Sequence, residues 1–356
     1  MGRICFRCFA GHIPKQTDGS EVTMWCRLSL LLLIAFTAHA QLKVLVTGLS
    51  VEELNQLKLV APANVEVVSV SRGELDARLG EADGFIGSLN REQFRKASKL
   101  KWMQTHSAGV DNLRYPELVQ SNVVLTNAKI VMGPNIADHA FALLLAITRK
   151  INLATADKAE ESWRRGSYDS KLVELHGKTA VIVGVGGIGM QIAQRAKGFG
   201  MQVIGVDPKE IPITPLVDEL VHPDRLNEVL PRANVLFVAA PLTAESEGMI
   251  GPAQFDALPK DAYFIAVSRG RLYQTPALVK ALDSGRLAGA GLDVTDPEPL
   301  PPGHALWKFP NVAITPHVAG QGDGMPARRM EVFKENIRRF GQGRPLVNVV
   351  DKQKGY

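Results

Sequence analysis

The stretch "TAVIVGVGGIGMQIAQRAKGFGMQVIGVD", residues 179–207, constrains this chain more than any other. A β-branched run enters Gly184-Val185-Gly186-Gly187-Ile188-Gly189, and a stripe of Ile188, Ile192, Ala196 and Phe199 at helical spacing follows before the next β-branched run. Strand, tight turn, helix and strand in that order open a parallel α/β sheet. A GxGxxG by itself also reads as a bare glycine turn; between a buried strand and a helix each glycine has a task. Gly184 suits the tight turn, Gly186 lets the backbone approach a pyrophosphate, and Gly189 packs helix on strand, with free N–H groups of the helix start facing the phosphates. Asp207 lies 18 residues past Gly189, where an acid accepts the ribose hydroxyls of an adenosine and repels a 2′-phosphate, which favours NAD over NADP. Lys209 works against that preference, and Asp207 also reads as an ordinary exposed acid at a strand end.

The same alternation fills the chain on both sides. From Lys43 the runs "KVLVTG", "VEVVSV", "ADGFIGS", "WMQTHSAG" and "NVVLTNA" alternate with helical stretches over 51–59 and 91–98. From Thr179 come "TAVIV", "MQVIGVD", "NVLFVAAPLT", "AYFIAVSRG", "AGAGLDV" and "NVAITPH", six strand candidates. Between the two sets, Ile136, His139, Ala140, Leu143, Leu144 and Ile147 mark a long helix from about Asn135, and Met330, Phe333, Ile337 and Phe340 mark another over 327–340. The reading is α/β, two doubly wound parallel-sheet domains. A Rossmann cofactor domain over 136–325 is inserted in a flavodoxin-like substrate domain made of 41–135 and 326–356, because the second sheet is complete by His317 and the last helix is free to return to the first. A length of 356 residues suits two such domains.

Charge and cysteine content narrow the function. Beyond residue 40 there remain 37 Lys/Arg against 34 Asp/Glu, a net +3 without clustering, which argues against nucleic acid. Cys5, Cys8 and Cys26 all precede residue 40, so the body has no disulfide, thiol nucleophile or thiolate metal site. Cys5, Cys8, His12 and Cys26 could formally hold zinc, but Cys26 adjoins an apolar run, and we expect no metal. That run, uncharged from Leu28 to Leu42, is shorter than a membrane span of about 20 residues. Arg27 before it and Ala38-His39-Ala40 after it give a signal peptide ending at Ala40, the alternatives being a buried N-terminal helix and a cytoplasmic protein. Met24 is a natural start for such a leader, which sets residues 1–23 apart as an over-extension of the gene. No twin arginine marks the leader for export of a folded chain, so an exported form must meet its NAD outside the cytosol.

Three polar residues stand at or beyond the late strand ends of the second unit: Arg269 in "AVSRGRL", Glu298 in "GLDVTDPEPLP" and His317 in "NVAITPHVAG". The C-terminal ends of parallel strands face the ligand crevice, so Arg269 and His317 are placed to converge. Hydride exchange between nicotinamide and a 2-hydroxy or 2-keto acid needs such groups. Arg269 offers a planar two-pronged donor to the carboxylate, His317 gives or takes the hydroxyl proton, and Glu298 on the second ring nitrogen would stabilise the positive charge of the protonated ring. Taken singly, Arg269 also reads as a turn residue and His317 as a loop residue.

From about Lys43 to Val349 the chain resembles the D-isomer-specific 2-hydroxyacid dehydrogenases, the family of glycerate, phosphoglycerate and glyoxylate/hydroxypyruvate enzymes. The matching stretches are "HSAGVDNL", "LTNAKIVMGPNIADHAFALLLAITR", the glycine-loop segment, "PLTAESEGMIG", "SRGRLYQTPALVKALDSGRLAGAGLDVTDPEPLP" and "LWKFPNVAITPH". The resemblance implies Arg269, Glu298 and His317 as the catalytic set, and the backbone amides of Ser107, Ala108 and Gly109 as partners of the substrate carboxylate. It also implies Gly187, Ile188, Asp207, Ser268 and Asp293 as cofactor contacts, beside Gly184, Gly186 and Gly189 of the loop. Asp293 alone would read equally as a salt-bridge partner. A small D-2-hydroxy or 2-keto acid as substrate and a homodimer follow from the resemblance, and a non-enzymatic NAD(H)-sensing, corepressor-like module is the alternative. Two departures stand out: Ala266 where the pattern often has Asn, and Asp138 where many members have Glu.

Overall fold

The computed structural model describes residues 41–169, 172–212 and 214–356. The expected leader and its three cysteines lie outside the described residues. Strands β1 (Leu42–Val46), β2 (Val65–Ser69), β3 (Gly84–Ile86), β4 (Trp102–Gln104) and β5 (Val124–Thr126) form one parallel sheet in the order β2-β1-β3-β4-β5. Strands β6 (Thr179–Val183), β7 (Gln202–Val206), β8 (Glu219–Val221), β9 (Val235–Val238), β10 (Ala262–Ala266), β11 (Leu287–Leu292) and β12 (Val312–Ile314) form a second in the order β12-β11-β10-β9-β6-β7-β8. The order reverses between β1 and β3 and between β6 and β9. At each reversal successive connections leave in opposite directions, and a crevice opens past the strand ends.

Both sheets are covered on both faces, so their central strands read as continuous apolar runs. Six described helices of nine or more residues are labelled here: α1 (Val51–Val60), α2 (Gly133–Thr148), α3 (Ile151–Ala159), α4 (Gly187–Gly198), α5 (Thr275–Asp283) and α6 (Met325–Gly341). Helix α1 starts on a capping box, with the Ser50 hydroxyl accepting from the Glu53 N–H and the Glu53 carboxylate accepting from the Ser50 N–H. Helix α2 begins at Gly133-Pro134, two residues before the expected start, and buries Ile136, Ala140, Leu143, Leu144 and Ile147 against Ile182, Phe237 and Ile265 of the seven-stranded sheet. Each of the Ile and Leu side chains contributes about 1.5–3 kcal/mol, which fixes the helix on the seven-stranded sheet.

Helix α6 returns to the five-stranded sheet as its stripe requires, with Met330, Phe333 and Ile337 buried beside Val44, Val46 and Trp102. Its one fully buried polar residue is satisfied: Asn336 Nδ2 donates to Gln104 Oε1 at 2.8 Å, and Asn336 Oδ1 accepts from the Val347 N–H at 2.8 Å. The two crossings between domains brace each other, since Arg328 of α6 donates to the Val131 carbonyl (2.9 Å) and to Asn135 Oδ1 (2.9 Å). No helix among the described residues is long and apolar enough to cross a membrane.

Candidate active site

The glycine loop leaves β6 at the strand-order reversal. Gly184 has φ +87°, and a Cβ there would lie 2.5 Å from the Ala240 backbone; one on Gly189 would lie 2.0 Å from the Gly184 carbonyl oxygen. Both contacts exclude any side chain. A Cβ on Gly186 would meet nothing within 4 Å, which leaves an open face at the start of α4 where a pyrophosphate can approach the backbone. Asp207, just past β7, is pinned beside this loop: its Oδ2 accepts from the Val185 N–H (2.8 Å) and its Oδ1 from the Lys209 N–H (2.9 Å). The remaining lone pairs are available to ribose hydroxyls. Ser268 is buried, its hydroxyl donating to the Val238 carbonyl at 3.2 Å. These residues fit a dinucleotide.

The acid/base pair forms entirely within the second domain. His317 Nδ1 lies 2.7 Å from Glu298 Oε1, so the carboxylate fixes the proton on Nδ1 and leaves Nε2 for a substrate. His317 adopts φ +53°, a left-handed conformation that costs a non-glycine residue about 1–2 kcal/mol. The strain is held in place because the His317 N–H donates to the Asp293 carbonyl (2.9 Å) and the Thr315 carbonyl (3.0 Å). Beneath the turn sits the buried Asp293 carboxylate. It accepts from the Thr315 hydroxyl (2.7 Å) and the Val318 N–H (2.9 Å) on Oδ1, and from the Ala319 N–H (3.0 Å) on Oδ2. His139 of α2 completes this set at 2.7 Å from the Thr315 hydroxyl; because that hydroxyl gives its hydrogen to Asp293, His139 Nε2 is the donor. The resemblance implies a cofactor contact for Asp293, and the structure shows its carboxylate clamping the 315–319 turn. At the departure from the family pattern, the Ala266 carbonyl accepts from the Asp293 N–H (3.0 Å), so the main chain bonds this strand end.

Arg269, beyond β10, reaches across to the other sheet. Its Nε and one terminal nitrogen donate to Asp111 Oδ1 at 3.2 and 3.0 Å, and its other terminal nitrogen donates to the Ser268 carbonyl at 2.8 Å. The guanidinium lies on Gly109, where a Cβ would fall 1.9 Å from it. The 107–109 loop turns its carbonyls inward: Ser107 accepts from the Ala128 N–H (2.9 Å), Ala108 from Asn127 Nδ2 (2.6 Å) and Gly109 from the Ser107 hydroxyl (2.8 Å). The Ser107 N–H goes to the Thr105 hydroxyl at 3.3 Å. The N–H groups of Ala108 and Gly109 make no hydrogen bond among the described residues, so two amides and a guanidinium frame a pocket for a carboxylate. Asp111, Asn127, His139 and Thr315 escaped the sequence reading as members of the site. Asp111 lies in the quoted "HSAGVDNL", but its partner is 158 residues away.

Comparison with known proteins identifies the family. Residues 141–319 match the NAD-binding domain of the D-isomer specific 2-hydroxyacid dehydrogenases. A glyoxylate reductase of Korarchaeum cryptofilum is 33% identical over 304 residues, 85% of this chain and 90% of that one. The chain belongs to the D-isomer specific 2-hydroxyacid dehydrogenase family. A D-3-phosphoglycerate dehydrogenase of Methanocaldococcus jannaschii is 32% identical over 87% of this chain, which spans 59% of that relative's length. The solved NADPH-dependent glyoxylate/hydroxypyruvate reductase of Sinorhizobium meliloti, in complex with NADP and sulfate, superposes with a TM-score of 0.75 at 28% identity, covering 88% of this chain and all of that one.

As a member of this dehydrogenase family the chain is an oxidoreductase that works with a nicotinamide cofactor. The cofactor supplies or accepts the hydride. The residues in hand do the rest: the Gly184–Gly189 turn and Asp207 would hold the dinucleotide, Arg269 with the Ala108 and Gly109 amides would orient a carboxylate, and His317 would exchange a proton at Nε2. β10 and β12 are separated by β11 alone, so their ends lie about 10 Å apart, a span that a small 2-keto acid and two side chains fill.

Proposed function

We propose that the protein is an NAD-dependent dehydrogenase or reductase of small D-2-hydroxy and 2-keto acids. The observation that carries this reading is the pairing of two unlike groups across one crevice: an acid/base histidine backed by a carboxylate, and an arginine laid over free backbone amides. In reduction, His317 protonates the carbonyl oxygen as negative charge develops on it, while Arg269 holds the carboxylate and polarises the ketone. Asp207 supports NAD, since its carboxylate faces the ribose position and repels a 2′-phosphate; a relative such as the Sinorhizobium meliloti enzyme carries NADP. The test is NADH oxidation by the purified protein against glyoxylate, hydroxypyruvate, pyruvate and longer 2-keto acids. Turnover on a short 2-keto acid supports the assignment, and NADH binding without turnover on any of them overturns it in favour of a sensing module.

Two further parts of the proposal rest on surface and sequence features. A homodimer is supported by exposed apolar side chains on and after α3, Ile151, Leu153 and the 96% exposed Trp163; a monomeric mass in light scattering at micromolar concentration would reject it. Export with cleavage after Ala40 is supported by the uncharged run and the Ala38-His39-Ala40 site. N-terminal sequencing of the protein from fractionated source cells decides: a chain beginning at Gln41 outside the cytosol supports export, and an uncut cytosolic chain rejects it.

A further inference from the structure

The residue that favours NAD has a cation two positions away, and the fold holds that cation aside. Lys209 gives its backbone N–H to Asp207 Oδ1 (2.9 Å), but its ammonium sits over the ring of Tyr356, 4.0 Å from the centroid. Tyr356 is presented by the other domain. Its segment is a tight turn in which the Gly355 N–H donates to the Asp351 carbonyl (2.7 Å) and the Asp351 N–H to the Tyr356 carbonyl (3.2 Å). Arg114 anchors that turn on the Gln353 carbonyl (2.7 Å), and Lys352 anchors it on the carbonyls of Ser121 and Val123 (2.6 and 2.8 Å), all from the five-stranded sheet's side. A second cation stands close by: Lys129, bonded to the Val349 carbonyl (3.0 Å), is pushed below the ordinary lysine range by burial and by the charge of Lys209.

A cofactor bearing a 2′-phosphate brings about −1.5 to −2 charges to the ribose. Asp207 repels it, whereas a freely swinging Lys209 would reach it and cancel much of that repulsion. We propose that Tyr356 is a cofactor-selectivity residue: its ring holds the Lys209 ammonium away from the ribose site, so that the site takes the unphosphorylated adenosine ribose of NAD. This rests on the reading of Asp207 above. An ammonium on an aromatic face is held strongly enough to bias selectivity by roughly three- to tenfold.

The test is the ratio of NADPH to NADH dissociation constants, read by cofactor fluorescence on the full chain without substrate. Tyr356→Ala is expected to lower the wild-type ratio roughly three- to tenfold, mainly by tighter NADPH binding. Tyr356→Phe, which keeps the ring, should leave the ratio unchanged, and Lys209→Met added to Tyr356→Ala should restore it. A wild-type ratio near one overturns the Asp207 reading and the role of Tyr356 with it. A wild-type preference for NADH that Tyr356→Ala leaves intact, or a shift that survives Lys209→Met, overturns the role of Tyr356 alone.

Discussion

The acid/base pair and the carboxylate clamp are built in opposite ways. His317 and Glu298 are 19 residues apart, both belong to the seven-stranded domain, and the 315–319 turn that carries His317 is held by Asp293, with His139 on Thr315, all of that same domain. The clamp is split: Arg269 comes from one sheet, Asp111 and the amides of Ala108 and Gly109 from the other, 158 residues distant. Any opening of the crevice therefore leaves the proton donor intact and takes the clamp apart. The proton donor is complete within one domain, and the carboxylate clamp needs groups from both.

Substitutions in the self-contained half should cut turnover and spare binding. His317→Asn removes the group that exchanges the proton, and kcat should fall by about 10³- to 10⁴-fold with the KM of the 2-keto acid little changed. Glu298→Gln keeps the ring's hydrogen-bond partner but withdraws its charge, and a loss of roughly ten- to a hundredfold in kcat is expected. Steady-state kinetics at saturating NADH separates the two parameters; a rise in KM without loss of kcat in His317→Asn would place the histidine in recognition instead.

The split half should show the converse pattern, with effects below that of His317→Asn. Arg269→Lys keeps the charge but loses the two-pronged geometry, and kcat/KM should drop by about 10²-fold, largely through KM. Asp111→Asn keeps the shape and removes the charge opposite the guanidinium, so Arg269 is less firmly aimed across the crevice. We expect roughly a tenfold rise in KM, from the loss of about 1–1.5 kcal/mol of charge-assisted bonding, with NADH affinity unaltered. A drop in NADH affinity equal to the rise in KM would show that the Asp111–Arg269 pair shapes the whole crevice rather than the clamp alone.

The same division explains what could be read from the sequence. Arg269, Glu298 and His317 were legible because each stands at or just beyond a strand end whose place in the sheet follows from a local apolar run. All five strands of the first sheet and six of the seven in the second were legible for the same reason. The missed strand β8, Glu219–Val221, lies at a sheet edge with its first two residues only partly buried, and between Asp218-Glu219 and His222-Pro223 only Leu220 and Val221 are apolar, so no run marks it. Asp111, Asn127 and His139 were illegible as site residues because their partners lie in distant segments: an acid in a loop or a histidine on a helix carries no mark of the hydroxyl, carbonyl or guanidinium it will meet. The clamping role of Asp293 was hidden likewise, since its burial beneath the 315–319 turn is a product of the whole sheet.

The loop that carries half of the clamp rests on a histidine the mechanism does not use, and this gives the smallest of the expected effects. His106 precedes Ser107, packs edge-on against Phe333 of α6 with ring centroids 5.2 Å apart, and has its Nε2 buried without a partner among the described residues. Burial, reinforced by the charge of Arg329, pushes its pKa below the ordinary value of 6.5. The unfolded chain therefore takes up a proton before the folded one does. The stability this group contributes is full above pH 6.5 and is lost as pH falls from there through the lowered folded pKa. The melting temperature of the wild type should decline between pH 6.5 and 5 more steeply than that of His106→Gln, and the KM of the 2-keto acid should rise over the same window. The turn at His317 is held by Asp293, Thr315 and His139 of the other domain, so kcat at saturating substrate should carry no component from His106. Parallel pH profiles of melting temperature in the two proteins would remove His106 from this account and leave the clamp's half of the crevice as insensitive to acid as the other.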